Sequence, residues 1–230
     1  MTTRRQAQRN RESRPSSPHR QKRPVLIAGG LLAILLAAAL IGFNAFGGQG
    51  TTVVAGLPMS GTALGDANAP LVMEEFSDFQ CPFCGQFARQ TGPQILEQYV
   101  KTGKVRFVYR HLAFIGQESM WAAQAAECAS DQGRFWEYHD KLFASQAGEN
   151  RGTFSKDNLK RFARDLGLES SRFDGCLDSN QTLERVQRDT EEGQRRKIQS
   201  TPTFFVNDEM IQGALPFATF KTTFDRKLAQ

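Results

Sequence analysis

Charged residues are missing from a long part of this 230-residue sequence: no Asp, Glu, Lys or Arg occurs from Pro24 to Gly65. The formal charge of +5 comes from residues 1–23, which carry eight Lys and Arg but a single acid. The remaining residues, 24–230, have a net charge of −2. A basic tail can indicate nucleic-acid binding, but here it adjoins an apolar run, which explains it better. We therefore predict no nucleic-acid partner.

Cysteine is also scarce, with four residues in the chain. Cys81 and Cys84 lie three positions apart, whereas Cys128 and Cys176 are 48 positions apart, and the histidines are scattered. A tetrahedral zinc site takes four ligands, usually as two close pairs. The lack of a second close pair argues against a structural metal, and we predict neither a metal nor a cofactor.

The apolar run extends from Val25 to Phe43 and contains 19 residues. As a helix it would be about 28 Å long, close to the roughly 30 Å thickness of a bilayer core. Because basic residues flank only its N-terminal side, the positive-inside rule places the tail in the cytoplasm. We predict a cytoplasmic tail (1–23), a single transmembrane anchor (24–46) and an extracytoplasmic remainder, periplasmic or at the cell surface.

Two alternatives remain for this run. A cleaved signal peptide has an apolar region of about 7–15 residues and a small-residue cleavage site; the run is longer, although Ala37–Ala39 offers such a site. A buried helix of a soluble protein is the other possibility.

The rest of the chain is long enough for one domain with its own core. Residues 47–68 are rich in Gly, Thr, Ala and Ser, which is typical of a flexible linker. The folded domain is predicted to cover residues 69–230. Its pattern is strand (71–79), helix from Cys81 broken near Gly92-Pro93, strand (104–112), a helical block, two strands (201–207 and 210–216) and a final helix.

The stretch "FSDFQCPFCGQF" (76–87) places Cys81 where a strand passes into a helix, with Pro82 in the first turn. Unpaired N–H groups and the positive end of the dipole at a helix start stabilise a thiolate. Cys84 lies one turn further on the same face and deeper in the fold. We therefore predict a redox pair in which Cys81 attacks and Cys84 resolves. A structural bridge would close too small a loop to add much stability.

Cys128 and Cys176 are the two remaining cysteines and can form a disulfide with each other. In an oxidising compartment they are expected to pair, and closing a loop of this length is worth on the order of 4 kcal/mol in the chain-entropy model. A structural disulfide is favoured; a second redox pair that relays electrons, or two free thiols, remain as alternatives.

Three motifs together resemble the DsbA family of thioredoxin-fold thiol:disulfide oxidoreductases, in particular its membrane-anchored bacterial branch with a second disulfide. They are "EEFSDFQCPFC" (74–84), "ECASDQGRFWEYHDKLF" (127–143) and "STPTFFVND" (200–208). The resemblance covers residues 68–229. It implies an α/β fold, a thioredoxin sheet with a helical domain inserted at about residues 115–198.

The resemblance also implies site residues and partners. A cis peptide bond between Thr201 and Pro202 would face the Cys81 sulfur and present an edge to a client peptide. Glu75, or else its neighbour Glu74, would be a buried acid that takes the proton of Cys84. The implied reaction introduces disulfides into reduced exported polypeptides, and a membrane quinone-linked thiol oxidase then reoxidises the enzyme. A monomer is expected.

Phe83 departs from the pattern of the strongly oxidising members, which often carry a histidine between the two cysteines. Phenylalanine cannot donate a hydrogen bond to the thiolate, so the direction of electron flow stays open. The alternatives are a reductase or isomerase of the same fold, or a tethered peptide-binding module without turnover. Isomerases usually dimerise through an added domain, for which residues 44–68 are too short and too rich in glycine.

Overall fold

A computed structural model describes residues 56–230 of the chain. The predicted tail, the predicted anchor and the first part of the predicted linker lie outside these residues. Among the helices that are described, none is long and apolar enough to cross a membrane.

The described residues form six strands and eight helices. The strands are β1 (Met59–Ser60), β2 (Ala63–Leu64), β3 (Leu71–Ser77), β4 (Val105–His111), β5 (Thr203–Val206) and β6 (Glu209–Gln212). The helices are α1 (Pro82–Gln90), α2 (Gly92–Ile95), α3 (Gln117–Ser130), α4 (Phe135–Ala144), α5 (Lys156–Asp165), α6 (Ser170–Asp178), α7 (Leu183–Arg195) and α8 (Phe217–Leu228). A π-helical turn, Leu96–Val100, continues α2.

The strands form one mixed sheet in the order β1-β2-β4-β3-β5-β6. β3 and β4 are parallel at its centre, and the other neighbours are antiparallel. β3 is paired on both edges, and alternate residues of β4 are buried. Since side chains alternate between the two faces of a strand, this pattern agrees with the two strands predicted at 71–79 and 104–112.

Helices cover both faces of the sheet. On one face, α1 and α8 pack through Phe87 and Phe220 against Phe204 of β5, with ring centroids 4.4 to 5.7 Å apart. On the other face, α7 packs so closely that a Cβ at Gly193 would lie 2.8 Å from Leu112. The glycine therefore allows α7 to approach the end of β4.

A block of helices lies between the two halves of the sheet, where the sequence predicts a helical insertion. Helices α3 to α7 all lie between β4 and β5 in the chain. A disulfide joins Cys128 of α3 to Cys176 of α6, with a Cα–Cα distance of 5.9 Å. This bond ties the first helix of the insertion to its fourth.

The predicted start of the folded domain at residue 69 is wrong. β2 pairs with β4 and buries Ala63 and Leu64, and Leu57 is buried as well. Gly61 and Gly65 have positive φ angles of 59° and 95°, and they allow the chain to turn before and after β2. The glycines that suggested a linker are thus turn residues of a short hairpin at the sheet edge.

Candidate active site

Cys81 caps the N-terminus of α1 at the end of β3. Its backbone N–H donates to the Asp78 carbonyl (3.0 Å) and its own carbonyl accepts from Gly85 N–H (3.1 Å), so the turn and the first helical bond are both closed. Pro82 occupies the first helical turn, where its missing N–H costs no intrahelical bond. The Cys81 side chain is 5% exposed, whereas that of Cys84 is 0% exposed. Both are free thiols, so the structure describes the dithiol form.

The two thiols have different pKa values because their surroundings differ. The Cys84 thiol, as a hydrogen-bond donor, lowers the pKa of Cys81 to about 6 despite partial burial. The Thr201 hydroxyl and the backbone N–H groups of Cys84 and Phe83 act in the same direction. Burial, together with the Cys81 neighbour, raises the pKa of Cys84 well above its usual value. Near neutral pH the pair therefore holds one thiolate, at Cys81, and one thiol, at Cys84.

Glu75 is the buried acid beneath the pair, and Glu74 is not. Glu75 is 1% exposed, and burial raises its pKa to about 8, with the nearby Cys81 thiolate adding to the shift. Glu74 points to the opposite face of the sheet, where it pairs with Arg110 (2.9 Å) and Arg196 (2.7 Å). A carboxyl whose pKa lies near neutrality is suited to exchange a proton with a neighbouring thiol.

The Thr201–Pro202 peptide bond is cis and faces Cys81. The Cys81 sulfur lies 3.3 Å from the Thr201 carbonyl oxygen, and in its protonated form it donates a hydrogen bond to that oxygen. Thr203 then begins β5 beside β3. The two motifs that lie 120 residues apart in the chain thus meet at one sulfur atom, as the resemblance implies.

Sequence reasoning missed the polar side chains that hold the turn before Cys81. Gln146 donates to the carbonyls of Phe79 and Cys81, at 2.9 Å each. Asp78 accepts bonds from the Gln80 N–H and the Ser119 hydroxyl. Asp78 and Gln80 stand inside the quoted motif, but their partners belong to the helical insertion, and no local pattern indicates such distant contacts. The insertion therefore positions the turn that precedes Cys81.

Two large apolar side chains lie exposed beside the pair. Phe83 is 60% exposed and Phe114 is 55% exposed. The Phe114 N–H donates to the Asp78 carboxylate at 3.0 Å, which keeps this loop against the turn that precedes Cys81. Exposed apolar side chains around a reactive centre favour contact with another polypeptide.

The Cys128–Cys176 disulfide lies apart from this chemistry, buried within the helical insertion. Across residues 56–230, no group of three or more His, Cys, Asp and Glu side chains is arranged to hold a metal ion.

Comparison with known proteins identifies the class. The thioredoxin family model matches residues 59–226. The disulfide bond formation protein D of Bacillus subtilis is 30% identical over 185 residues, which cover 78% of this chain and 83% of that protein. The crystal structure of oxidised BdbD from Bacillus subtilis superposes with a TM-score of 0.70 at 28% identity, and covers 77% of this chain and 98% of that one.

A further relative, the Na(+)/H(+) antiporter NhaA 3 of Salinispora tropica, is 36% identical over 151 residues. These residues are 65% of this chain but only 22% of the antiporter's length. The similarity is therefore confined to about a fifth of that protein.

The matched thioredoxin domain, the similarity to protein D and the geometry around Cys81 agree. The chain belongs to the DsbA family of thioredoxin-fold thiol:disulfide oxidoreductases.

Proposed function

We propose that this enzyme is an extracytoplasmic thiol oxidase that introduces disulfides into exported polypeptides. Cys81 is its attacking thiol and Cys84 its resolving thiol. One observation carries the proposal: Cys81, at a helix start, has a pKa lowered to about 6, while its partner Cys84 has a raised pKa. A stabilised thiolate stabilises the reduced enzyme, and an enzyme that is stable when reduced is a good oxidant.

The reaction begins with the Cys81–Cys84 disulfide of the oxidised enzyme. A client thiolate attacks the Cys81 sulfur, the disulfide breaks, and Cys84 leaves and takes up a proton. The second thiolate of the client then attacks the mixed disulfide, and Cys81 leaves as a thiolate. Two electrons pass from the client to the enzyme, and a membrane quinone-linked thiol oxidase removes them in the next step.

Client binding is supported by three features around Cys81. The cis Thr201–Pro202 bond offers backbone groups to an extended peptide. Phe83 and Phe114 offer apolar contacts. A cleft of about 430 Å³, lined by Gln80, Pro82, Gln146, Gly148, Glu149 and Arg151, adjoins the same cysteine and offers space for a client side chain.

The membrane topology remains a proposal drawn from the sequence. The basic tail and the apolar run predict an anchor at residues 24–46 with the catalytic domain outside. A reporter fused after Gln230 is expected to be active outside the cytoplasmic membrane. Activity on the cytoplasmic side would contradict both the anchor and the exported clients.

The direction of electron flow is tested by the reduction potential of the full-length protein, equilibrated with glutathione redox buffers. We expect a value clearly above the roughly −270 mV of thioredoxin. A value at or below that figure would favour the reductase alternative. The non-catalytic alternative predicts that Cys81→Ser still supports the cellular role, whereas an oxidase loses it.

A further inference from the structure

Protons must reach and leave a closed site in every catalytic cycle. Cys84 is 0% exposed and Glu75 is 1% exposed, so neither exchanges protons directly with bulk water. In a mixed disulfide Cys81 carries no charge, so the nearby thiolate no longer raises the pKa of Glu75. When Cys84 resolves that disulfide, the ionised form of Glu75 takes the Cys84 proton, the Cys84–Cys81 bond forms, and the other thiolate leaves. Glu75 must then release that proton before the next cycle, which requires a route to the surface.

Four polar atoms that lack a close hydrogen-bond partner lie in one block that includes Glu75. They are Glu75 Oε1, Ser77 Oγ, Tyr109 OH and His111 Nδ1, and each is buried. In the register of β3 and β4, Glu75 pairs with Tyr109 and Ser77 pairs with His111. Since alternate residues share a face of a strand, all four side chains lie on one face.

Unpaired buried polar atoms are costly and uncommon in folded proteins, and each needs an explanation. Buried water typically bonds to two to four such atoms at once. The Ser77 hydroxyl, the Tyr109 hydroxyl and the nearby carboxyl offer both donors and acceptors. The block therefore has the composition of a hydrated polar site rather than of an apolar core.

From the block, hydrogen bonds continue outwards. His111 Nε2 lies 3.1 Å from Glu127 Oε1. Glu127 Oε2 accepts from Arg185 Nη1 at 3.1 Å. Glu127 and Arg185 line a surface cleft of about 500 Å³, so the chain of polar groups ends at solvent.

We propose that Ser77, Tyr109, His111 and Glu127, together with buried water, form a proton path from Glu75 and Cys84 to the surface cleft at Arg185. The path rests on the proposed roles of Cys84 and Glu75. Its members are positioning residues for proton transfer, since Glu75 rather than any of them takes the Cys84 proton.

The environment of the path is aromatic on one side. Phe79 stacks on Tyr109 with centroids 5.2 Å apart, and Phe135 and His139 pack against the same ring at 5.6 and 5.2 Å. These rings hold the Tyr109 side chain in place.

Other charged or titratable groups face the path from every neighbouring element. They are Cys81 and Cys84 at the start of α1, Asp78 after β3, Asp131 after α3, His139 from α4, and Arg185 and Asp189 from α7. Most of these groups already make hydrogen bonds to other partners. Asp78 accepts from the Phe114 and Ile115 N–H groups. His139 bonds to Asp140, and Asp189 accepts from the His111 N–H. Glu75 is thus the carboxyl left to take up the Cys84 proton.

The test compares two buried tyrosines. Tyr109→Phe removes the path hydroxyl, and Tyr138→Phe is the control, because its hydroxyl is equally buried but donates only to the Leu159 carbonyl at 2.8 Å. The reduced full-length protein is mixed with oxidised glutathione and quenched with acid. Mass spectrometry then counts the dithiol, the glutathione mixed disulfide and the Cys81–Cys84 disulfide over time, from about pH 5 to about pH 9, which brackets thiol titration.

In Tyr109→Phe we expect the first step, attack by Cys81, to be unchanged. The second step, resolution by Cys84, should slow by about tenfold, since positioned proton transfer contributes factors of about 10²–10⁴. The mixed disulfide then accumulates. The slowed step should also show a solvent deuterium isotope effect that the wild type lacks. Tyr138→Phe should match the wild type in both steps.

Ser77→Ala provides a second variant, since it removes only the Ser77 hydroxyl from the block. It should slow the same step. Wild-type resolution rates in both variants across the pH range would overturn the path, and so would equal slowing of both steps, which indicates a structural defect. A wild type that does not resolve through Cys84 would instead overturn the proposed role of Cys84, and the path with it.

Discussion

The two cysteine pairs of this enzyme sit at opposite ends of helices. Cys81 caps the N-terminus of α1, whereas Cys128 and Cys176 lie in the last turns of α3 and α6. The helix dipole favours negative charge at an N-terminus and disfavours it at a C-terminus. A thiolate is therefore stabilised at the first site and not at the second. The contrast shows that one fold places a stabilised thiolate at one cysteine pair and a disulfide at the other.

The largest expected effect is on thiol:disulfide exchange activity, which should depend on the first cysteine pair and not on the second. Cys81→Ser should lower thiol:disulfide exchange by several orders of magnitude, because it removes the attacking sulfur. The double variant Cys128→Ala/Cys176→Ala should keep its exchange rate at 25 °C, since its sulfurs lie outside the active site. The measurement is the rate of reactivation of a reduced, unfolded client enzyme. Loss of activity in the double variant would support the electron relay that the sequence left open.

The same double variant should lose stability. In the chain-entropy model, a bond between residues 48 apart contributes about 4 kcal/mol. Equilibrium unfolding in urea should therefore show a decrease of this size in the free energy of unfolding. Reducing only the Cys81–Cys84 pair is the control, and it should change stability less. A double variant as stable as the wild type would assign the second pair another role.

Glu75→Gln should stabilise the reduced protein at neutral pH. Folding raises the pKa of Glu75 to about 8, from about 4.3 in the unfolded chain. The folded state therefore holds a proton that the unfolded state has lost, and stability falls as pH rises between these two values. At pH 7 the raised pKa of Glu75 lowers the free energy of unfolding by on the order of 3 kcal/mol, and Glu75→Gln should restore this amount.

Urea unfolding at several pH values measures this effect, and Glu74→Gln is the matched control. Glu74 pairs with Arg110 and Arg196, so its loss should lower stability slightly or leave it unchanged. A Glu75→Gln variant that is less stable than the wild type at pH 7 would contradict the raised pKa.

The smallest expected effect concerns Phe83. Phe83→His supplies a hydrogen-bond donor beside the Cys81 thiolate and should make the pair more oxidising, by up to about 30 mV per unit of lowered pKa. Phe83→Leu is the control and should leave the potential unchanged. Glutathione equilibration measures both. An unchanged potential in Phe83→His would mean that a histidine at position 83 does not lower the pKa of Cys81 further.

Much of the fold follows from local sequence patterns. The apolar runs around Met73 and Phe107 predicted β3 and β4, and helical spacing predicted the insertion, because period and burial are local signals. The hairpin at residues 59–64 was missed because its strands have two residues each and its glycines are equally typical of linkers. Pairing with β4, which no local pattern encodes, makes these residues part of the sheet.

The candidate site divides in the same way. Cys81 and Cys84 were predicted from spacing and helix position, and Thr201-Pro202 from the family resemblance. The resemblance favoured Glu75 as the buried acid and kept Glu74 as the alternative. Local pattern could not separate the two, because β3 has neighbours on both edges and helices cover both faces of the sheet. Gln146 and Tyr109 escaped notice because the first acts across 65 residues and the second reads as one more apolar position of β4.

The central claim is that the surroundings of Cys81 hold it as a thiolate while Cys84 stays protonated. The most direct test is a pH titration of the reduced full-length protein, followed by the ultraviolet absorbance of the thiolate, with Cys81→Ser as the reference. The account predicts one thiolate transition near pH 6 that is absent from Cys81→Ser. A first transition at about pH 8.5, the value of an ordinary cysteine, would contradict it.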